Sequence, residues 1–221
     1  MFTQDLINKS IPQLSPEDSL GKALHLINDF RLTHLPVVQE NKFLGLLSED
    51  DLLDVDDDEK TPIANLGEFY ISTSVKERVH FLNAVNVALQ LDANLIPVTN
   101  EENDFMGSIT RQDLLKQLGN FAGCNEIGGL IVFQVERSQF SISEISRIVE
   151  SFDATVLHLN TTMHPVTGIL TVTIHINKRE ISPIVSTFER YDYHIEYYSG
   201  EENFENEISE NYHHLMKYLD L

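Results

Sequence analysis

The sequence predicts a mixed α+β, partly α/β, protein in which a duplicated unit precedes a single βαββαβ unit. The duplication is read directly: LTHLPVVQENKFLGLLSEDDLLDV at residues 32–55 returns 61 or 62 residues later as ANLIPVTNEENDFMGSITRQDLLKQL at residues 93–118. Beyond residue 129, strand and helix patterns follow in the order β-α-β-β-α-β, the ferredoxin-like arrangement. A unit of about 55 residues buries itself poorly, so we expect the two copies to pair as one pseudo-symmetric module.

Each copy predicts a helix, a strand, a polar hairpin, a second strand and a second helix. In the first copy the helix has apolar residues at 3-4-7 spacing and is entered through Ser15, Pro16 and Glu17; its apolar residues are Leu20, Ala23, Leu24 and Ile27. The second copy repeats that spacing with Phe81, Ala84, Val85 and Ala88. The strands LPVV and FLGLLS of the first copy correspond to IPVT and FMGSIT of the second.

The stretches between these units predict the domain boundaries. DVDDDEKTP at 54–62 is a charged linker; its Asp54, Asp56 and Asp58 imitate a calcium loop, but Glu59 replaces the required glycine and Asn65 the required glutamate. GNFAGCNEIGG at 119–129 has four glycines and predicts a hinge or loop. The expected domains are 1–58, 59–118, a linker at 119–128, 129–200, and a tail at 201–221.

The last third of the chain contains the βαββαβ pattern. We expect strands at 130–135, 155–160, 169–176 and 194–198, with helices at 143–152 and 181–188. The tail is first acidic and then amphipathic, since Ile208, Tyr212, Leu215 and Leu219 fall at helical spacing. That spacing predicts a C-terminal helix.

Composition limits the partners. The net charge of −20 argues against nucleic acid and anionic membranes, which bind basic surfaces. There is no apolar run long enough to span a membrane, and the start MFTQDLINKS lacks the basic and apolar regions of a signal peptide. A single cysteine, Cys124, excludes an internal disulfide and a cysteine-based zinc site. We therefore expect a cytoplasmic protein.

Two matched positions suggest a binding site. Ser48 and Thr110 each end a strand and begin a helix, where free backbone N–H groups and the helix dipole attract phosphate. Asp51 and Asp113, three residues further on, can each accept two hydrogen bonds from a cis-diol. The same Ser/Thr-x-x-Asp spacing also closes a helix end as a near-capping box. On the spacing alone, the capping interpretation is favoured.

The repeat resembles the cystathionine-β-synthase (CBS) domain family over about residues 1–118. The resemblance rests on HLPVV at 34–38 with LGLLSEDDL at 44–52, and on IPV at 96–98 with MGSITRQDL at 106–114, which include Pro36 and Pro97. It implies a tandem pair (a Bateman module) whose clefts bind AMP, ADP, ATP, S-adenosylmethionine or a similar compound. It also implies a Ser or Thr near the phosphate or ribose and an Asp on the ribose diol.

The same resemblance implies apolar walls for the adenine pocket at Ile11 to Leu14 and at Ile71 to Val75, which would otherwise be ordinary core. His34 is a candidate to face a phosphate, or else a partly buried polar residue. Arg111 follows Thr110 where the first copy has Glu49, so phosphate should favour the second site. We expect unequal sites.

Residues 129–199 resemble the ACT family of small regulatory domains, through the order of elements and patches such as SEISRIVE at 143–150 and FERY at 188–191. The whole chain is similar to CBS-pair proteins of the acetoin-utilisation type. ACT domains imply an amino-acid site or dimerisation; the loop at 136–141 has no glycine, which favours a homodimer. His158 and His175 are expected on an exposed face or interface, because no third metal ligand is evident.

The function predicted is regulatory and non-catalytic. The sequence has no nucleophile elbow, metal-ligand set or phosphate loop, and the predicted βαββαβ sheet lacks the aromatic and basic residues of an RNA-binding surface. We expect a sensor of an adenosine compound, joined to a dimerisation or second-ligand domain. The alternative is a structural dimerisation module without a nucleotide.

Overall fold

The computed structural model describes residues 1–55 and 58–200, which form two compact units, one up to Leu118 and one from Gly119 onward. The predicted tail helix lies outside the described residues. In the described part of the chain, no helix has the length and hydropathy needed to cross a membrane. The mixed fold class is as predicted.

The first unit contains both repeats. The first repeat comprises α1 (Leu20–Phe30), β1 (His34–Gln39), β2 (Lys42–Ser48) and α2 (Glu49–Asp54). The second comprises β3 (Val75–Lys76), α3 (Leu82–Leu91), β4 (Leu95–Thr99), β5 (Phe105–Thr110) and α4 (Arg111–Phe121). Short 3-10 helices cover Thr3–Leu6 and Ile63–Phe69. The glycine-rich segment is therefore not all loop, because α4 includes Gly119.

Helix α1 begins differently from the prediction. Its N-cap is Ser19, whose Oγ accepts a hydrogen bond from the Lys22 amide at 3.2 Å. Ser15 instead belongs to a preceding turn, in which its amide donates to the Asp18 carboxylate at 2.9 Å. The charged linker also takes part, since the Leu20 amide donates to the Thr61 carbonyl at 2.9 Å. An acceptor brought from 41 residues away thus completes this helix end.

The sheet of each repeat pairs with the backbone of the segment that precedes the other repeat. Ile71, which lies before β3, pairs with Leu46 of β2, and Asn8, near the N-terminus, pairs with Ser108 of β5. The Ile71 and Leu46 amides and carbonyls exchange hydrogen bonds of 2.8 and 2.9 Å, and the Asn8 amide donates to Ser108 at 2.8 Å. The two repeats therefore complete each other's sheets.

Gly45 and Gly107 are the positions at which these preceding segments pass closest. A Cβ on Gly45 would lie 2.7 Å from Tyr70 Cβ, and one on Gly107 would lie 2.5 Å from Ile7 Cγ2. Gly107 also has a φ of 132°, which disfavours residues with a Cβ. The repeated glycine is thus explained by close approach between segments.

The two hairpin turns meet as well. The Phe43 amide donates to the Asn103 carbonyl at 3.1 Å, and the Phe105 amide donates to the Asn41 carbonyl at 2.7 Å. Both asparagines adopt the left-handed conformation, with φ of 67° and 66°, which asparagine tolerates better than most residues. These matched bonds give the unit its pseudo-two-fold symmetry.

The second unit is a four-stranded antiparallel sheet covered on one face by two helices. It comprises β6 (Gly129–Val135), α5 (Ile142–Glu150), β7 (Val156–Met163), β8 (Leu170–Ile176), α6 (Ser182–Arg190) and β9 (His194–Ser199). The strand order is β7-β8-β6-β9, the ferredoxin-like order. Alternate residues of β6 are buried, and Ile131 and Phe133 pack in the core with Ile145 and Phe188 of the helices.

Candidate functional site

The structure brings the predicted residues of the first repeat together at one end of its hairpin. His34 and Ser48 are direct partners across β1 and β2. Pro36 lies on the same face as His34, since side chains two residues apart in a strand share a face. The Leu14 amide donates to the Pro36 carbonyl at 2.8 Å. Leu14 is fully buried and Ile11 is half-buried.

Ser48 and Asp51 form a local cap. Ser48 Oγ accepts from the Asp51 amide at 3.0 Å and donates to the Asp51 carboxylate at 2.5 Å. Helix α2 has six residues, and Glu49, Asp50 and Asp51 all lie in its first turn. Three carboxylates there oppose an incoming anion, because they offset the favourable end of a short helix dipole.

Thr110 and Asp113 repeat this geometry in the second repeat. Thr110 Oγ1 accepts from the Asp113 amide at 3.0 Å and donates to the Asp113 carboxylate at 2.7 Å. Helix α4 has eleven residues, and Asp113 is the one acidic residue in its first turn. Both matched pairs therefore cap helices, whether or not they also bind a ligand.

Arg111 is engaged in an ion pair. Its Nη2 lies 2.7 Å from the Asp92 carboxylate and its Nε donates to the Ala93 carbonyl at 3.2 Å. Asp92 is almost fully exposed, so this pair contributes little to stability and is readily exchanged. Arg111 could meet a bound phosphate by exchanging Asp92 for it or by using its remaining guanidinium N–H groups.

His34 is buried in a setting that favours its neutral form. It is 7% exposed, and its Nδ1 lies 2.9 Å from Thr33 Oγ1. Burial lowers the pKa of His34 below its usual value; the charge of Arg111 acts in the same direction, while Asp51 and Asp50 oppose it. A neutral imidazole can hydrogen-bond a ligand but brings no positive charge to it.

The predicted apolar walls span both repeats. Leu14 pairs with Val37 of the first repeat, and Val75 pairs with Val98 at the matching position of the second. Ile71, expected in one wall with Val75, lies beside β2 of the first repeat. The segment from Ile71 to Val75 thus runs from the sheet of the first repeat to that of the second.

Ser108 was not singled out by the sequence reasoning. It is 1% exposed, and among the described residues its hydroxyl has no hydrogen-bond partner. It lies two residues before Thr110 on β5, and therefore on the same face. The alignment of the two repeats could have identified this residue, because Ser108 stands where the first copy has the apolar Leu46. A buried hydroxyl without a partner is costly unless something outside the chain supplies one.

No metal centre is found over residues 1–55 and 58–200, where no three His, Cys, Asp or Glu side chains lie together in a way that could hold an ion. A separate apolar groove of about 270 Å³ lies between α3 and α4 and is lined by Leu89, Leu114, Leu115 and Leu118 among others. Of the polar residues above, Asp92 and Arg111 also line this groove.

The family model described as "CBS domain" matches residues 4–58. An inosine-5'-monophosphate dehydrogenase of Methanocaldococcus jannaschii is 25% identical over 51% of this chain and 23% of its own length. An uncharacterized protein of the same organism is 22% identical over 51% of this chain and 42% of its own length. The chain thus spans less than half of either relative.

Two solved structures are similar to about half of this chain, each at a TM-score below 0.5. A CBS domain pair/ACT domain protein from Thermotoga maritima is 22% identical, with a TM-score of 0.49 over 55% of this chain and 98% of that one. CBSX2 in complex with AMP is 21% identical, with a TM-score of 0.47 over 54% of this chain and 97% of that one. The family match identifies residues 4–58 as a CBS domain, and residues 59–118 repeat the same helix-strand-strand-helix order.

Proposed function

We propose that residues 1–118 bind an adenosine-containing ligand and that the chain is a non-catalytic regulatory protein. The observation that carries this proposal is the group at the start of α4: the Thr110 hydroxyl, the Asp113 carboxylate and the unpartnered buried hydroxyl of Ser108. Ser108 and Thr110 offer hydroxyls on one strand face, and Asp113 can accept two hydrogen bonds from a ribose diol. The helix N-terminus behind them favours a phosphate.

The ligand would take over bonds that are now internal. The Asp113 carboxylate accepts from the Thr110 hydroxyl, so a ribose would replace that donor and free the hydroxyl to turn toward the phosphate. The Asp113 amide would keep its bond to Thr110 Oγ1, leaving the helix capped. Binding therefore exchanges one side-chain hydrogen bond without unfolding the helix end.

The two clefts should differ in affinity. The first repeat places Glu49, Asp50 and Asp51 in the first turn of α2, whereas the second has Asp113 alone, with Arg111 nearby. Each additional carboxylate near a phosphate raises the energy of the complex. We therefore assign the tighter site to the second repeat.

A structural module without a nucleotide is the second candidate. It is favoured by the two capping pairs, in which Ser48 with Asp51 and Thr110 with Asp113 already satisfy each other. In this case the second unit would act as the dimerisation domain and the CBS pair as a folded spacer.

Thermal unfolding of the full chain with AMP, ADP, ATP and S-adenosylmethionine distinguishes the two. A ligand at 100 times its dissociation constant stabilises the folded state by about 2.7 kcal/mol. We expect one adenosine compound to produce such a shift, and Asp113→Asn to weaken binding much more than the matched change Asp51→Asn. If the clefts are unequal in the opposite sense, Asp51→Asn will have the larger effect. No shift with any of the four compounds would favour the structural module.

The second unit is assigned a dimerisation or second-ligand role under the same proposal. Its loop at 136–141 lacks the glycine associated with amino-acid sites in the family it resembles, so we favour a homodimer. Sedimentation equilibrium of the full chain tests this, with the thermal experiment repeated in several amino acids. A monomer at micromolar concentration that responds to an amino acid would reverse the assignment.

A further inference from the structure

The glycine-rich segment packs tightly against the sheet of the second unit. Gly123 is buried and has a φ of 70°; a Cβ there would lie 2.3 Å from His158 Cδ2 and 3.2 Å from His175 Nδ1. A Cβ on Gly128 would lie 1.9 Å from the Ile176 carbonyl oxygen. These two glycines are needed for close contact, which differs from the flexible role that their composition suggested.

The surface beneath Gly123 is a pair of imidazole rings. His158 of β7 and His175 of β8 are direct partners in the sheet, and their ring centroids are 6.2 Å apart at an angle of 21°. His158 Nε2 is buried without a hydrogen-bond partner among the described residues. The carboxylate of Glu126, on the segment itself, lies 3.4 Å from that nitrogen, within ion-pair range but outside hydrogen-bond geometry.

We propose that residues 119–128 form a proton-operated latch, in which protonation of His158 creates an ion pair with Glu126 and holds the segment on the sheet. In the Nδ1–H tautomer of the neutral ring, Nε2 carries a lone pair that faces this carboxylate unfavourably, and in the Nε2–H tautomer it is only an uncharged donor. Once the ring is protonated, Nε2–H becomes a charged donor beside an acceptor that needs only a small side-chain shift. Histidine is suited to this role, because it gains its charge between about pH 5 and 8.

The other groups around His158 set the limits of the latch. From β8, His175 is the nearest second cation, so protonating both rings would produce repulsion across 6.2 Å. From the segment, Cys124 is exposed and Glu126 is about half exposed. Leu130 of β6, the partner of His175, carries no charge. The latch therefore operates on one proton, with Glu126 as its counter-charge.

The segment begins the second unit, directly after the first unit in the chain. Its own backbone bonds, from the Cys124 amide to the Gly119 carbonyl at 2.9 Å and from the Glu126 amide to the Gly123 carbonyl at 3.0 Å, give measurable reporters. The inference uses contacts of the second unit alone. It therefore stands or falls independently of nucleotide binding by the CBS pair.

Amide hydrogen exchange of the full chain tests the latch. Protection of the Cys124 and Glu126 amides is measured from pH 5 to 8 and corrected for the intrinsic exchange rate at each pH. We expect protection about two- to fivefold higher at pH 5.5 than at pH 7.5, the size of an ion pair with an exposed partner. His158→Gln and Glu126→Gln should each abolish this difference, and the exposed control His194→Gln should retain it.

The outcomes separate the latch from a merely structural contact. A wild-type protection that does not change with pH overturns the proposal, and so does a pH dependence that survives in His158→Gln or in Glu126→Gln. His175→Gln should keep the higher amide protection at pH 5.5, since it removes the charge that competes with His158. If His175→Gln loses the higher protection at pH 5.5 while His158→Gln keeps it, the proton is on His175 instead of His158. That result would also overturn the proposal.

Discussion

Thr33 and Asn94, which occupy matching positions of the two repeats, hydrogen-bond each other. The Thr33 amide donates to Asn94 Oδ1 at 2.9 Å, and the Asn94 amide donates to Thr33 Oγ1 at 3.1 Å. The carbonyls of the same two residues accept from Glu49 and Arg111, each at 2.8 Å. The junction between the repeats thus joins the starts of β1 and β4 to the first residues of α2 and α4.

Removing the Thr33 hydroxyl should weaken the whole first unit. Thr33→Val leaves the Asn94 amide without its acceptor, which should cost about 1–3 kcal/mol of unfolding free energy. Thr33→Ser keeps the hydroxyl and serves as the matched control, with a much smaller loss. Urea unfolding followed by circular dichroism measures both. A larger loss in Thr33→Ser than in Thr33→Val would mean that the methyl group, and not the hydrogen bond, supports the junction.

The two matched glycines should be intolerant of alanine. Gly107→Ala should cost about 2 kcal/mol or more, since it adds a contact with Ile7 to an unfavourable φ. Gly45→Ala should cost about 1–3 kcal/mol through overpacking against Tyr70. Gly67→Ala is the control, because a Cβ there meets nothing within 4 Å. Thermal unfolding of the three variants tests this order, and a tolerated Gly107→Ala would argue against the pairing of the preceding segment with β5.

Ser108→Ala should stabilise the ligand-free protein. The variant removes a buried hydroxyl that lacks a partner among the described residues, so we expect a gain of about 1 kcal/mol. Thr99→Val is the contrasting control. The buried Thr99 hydroxyl lies 3.1 Å from Ser74 Oγ, so its removal should lower the stability. The same Ser108→Ala protein should bind the adenosine ligand more weakly. A loss of stability in Ser108→Ala would show that the hydroxyl is already satisfied.

His34 should make the first unit less stable in acid. Because burial lowers its pKa in the folded state, the unfolded chain binds the proton more readily. The stability contributed by His34 is therefore present above the unfolded pKa, near 6.5, and is lost as the pH falls toward the lower folded value.

The measurement is the unfolding free energy at pH 7.5 and pH 5.5. His34→Gln should reduce the difference between these two values, whereas the exposed control His25→Gln should leave it unchanged. If wild type and His34→Gln lose the same unfolding free energy between pH 7.5 and pH 5.5, other groups cause that loss.

Much of this protein follows from local spacing in the sequence. The duplicated phrase, the alternation in the later strands and the Ser/Thr-x-x-Asp caps depend on neighbours a few residues apart, which periodicity records. The helix start at Ser19 was missed, because the Thr61 carbonyl, which satisfies the Leu20 amide, comes from far along the chain.

Only the tertiary structure decided where distant segments meet. The pairing of Ile71 with Leu46, the isolation of the Ser108 hydroxyl and the contact of Gly123 with His158 each join residues far apart in the chain. A glycine chosen for close packing and one chosen for flexibility are the same letter in a sequence. They differ in what lies within 3 Å of the missing side chain, and the folded chain alone determines that distance.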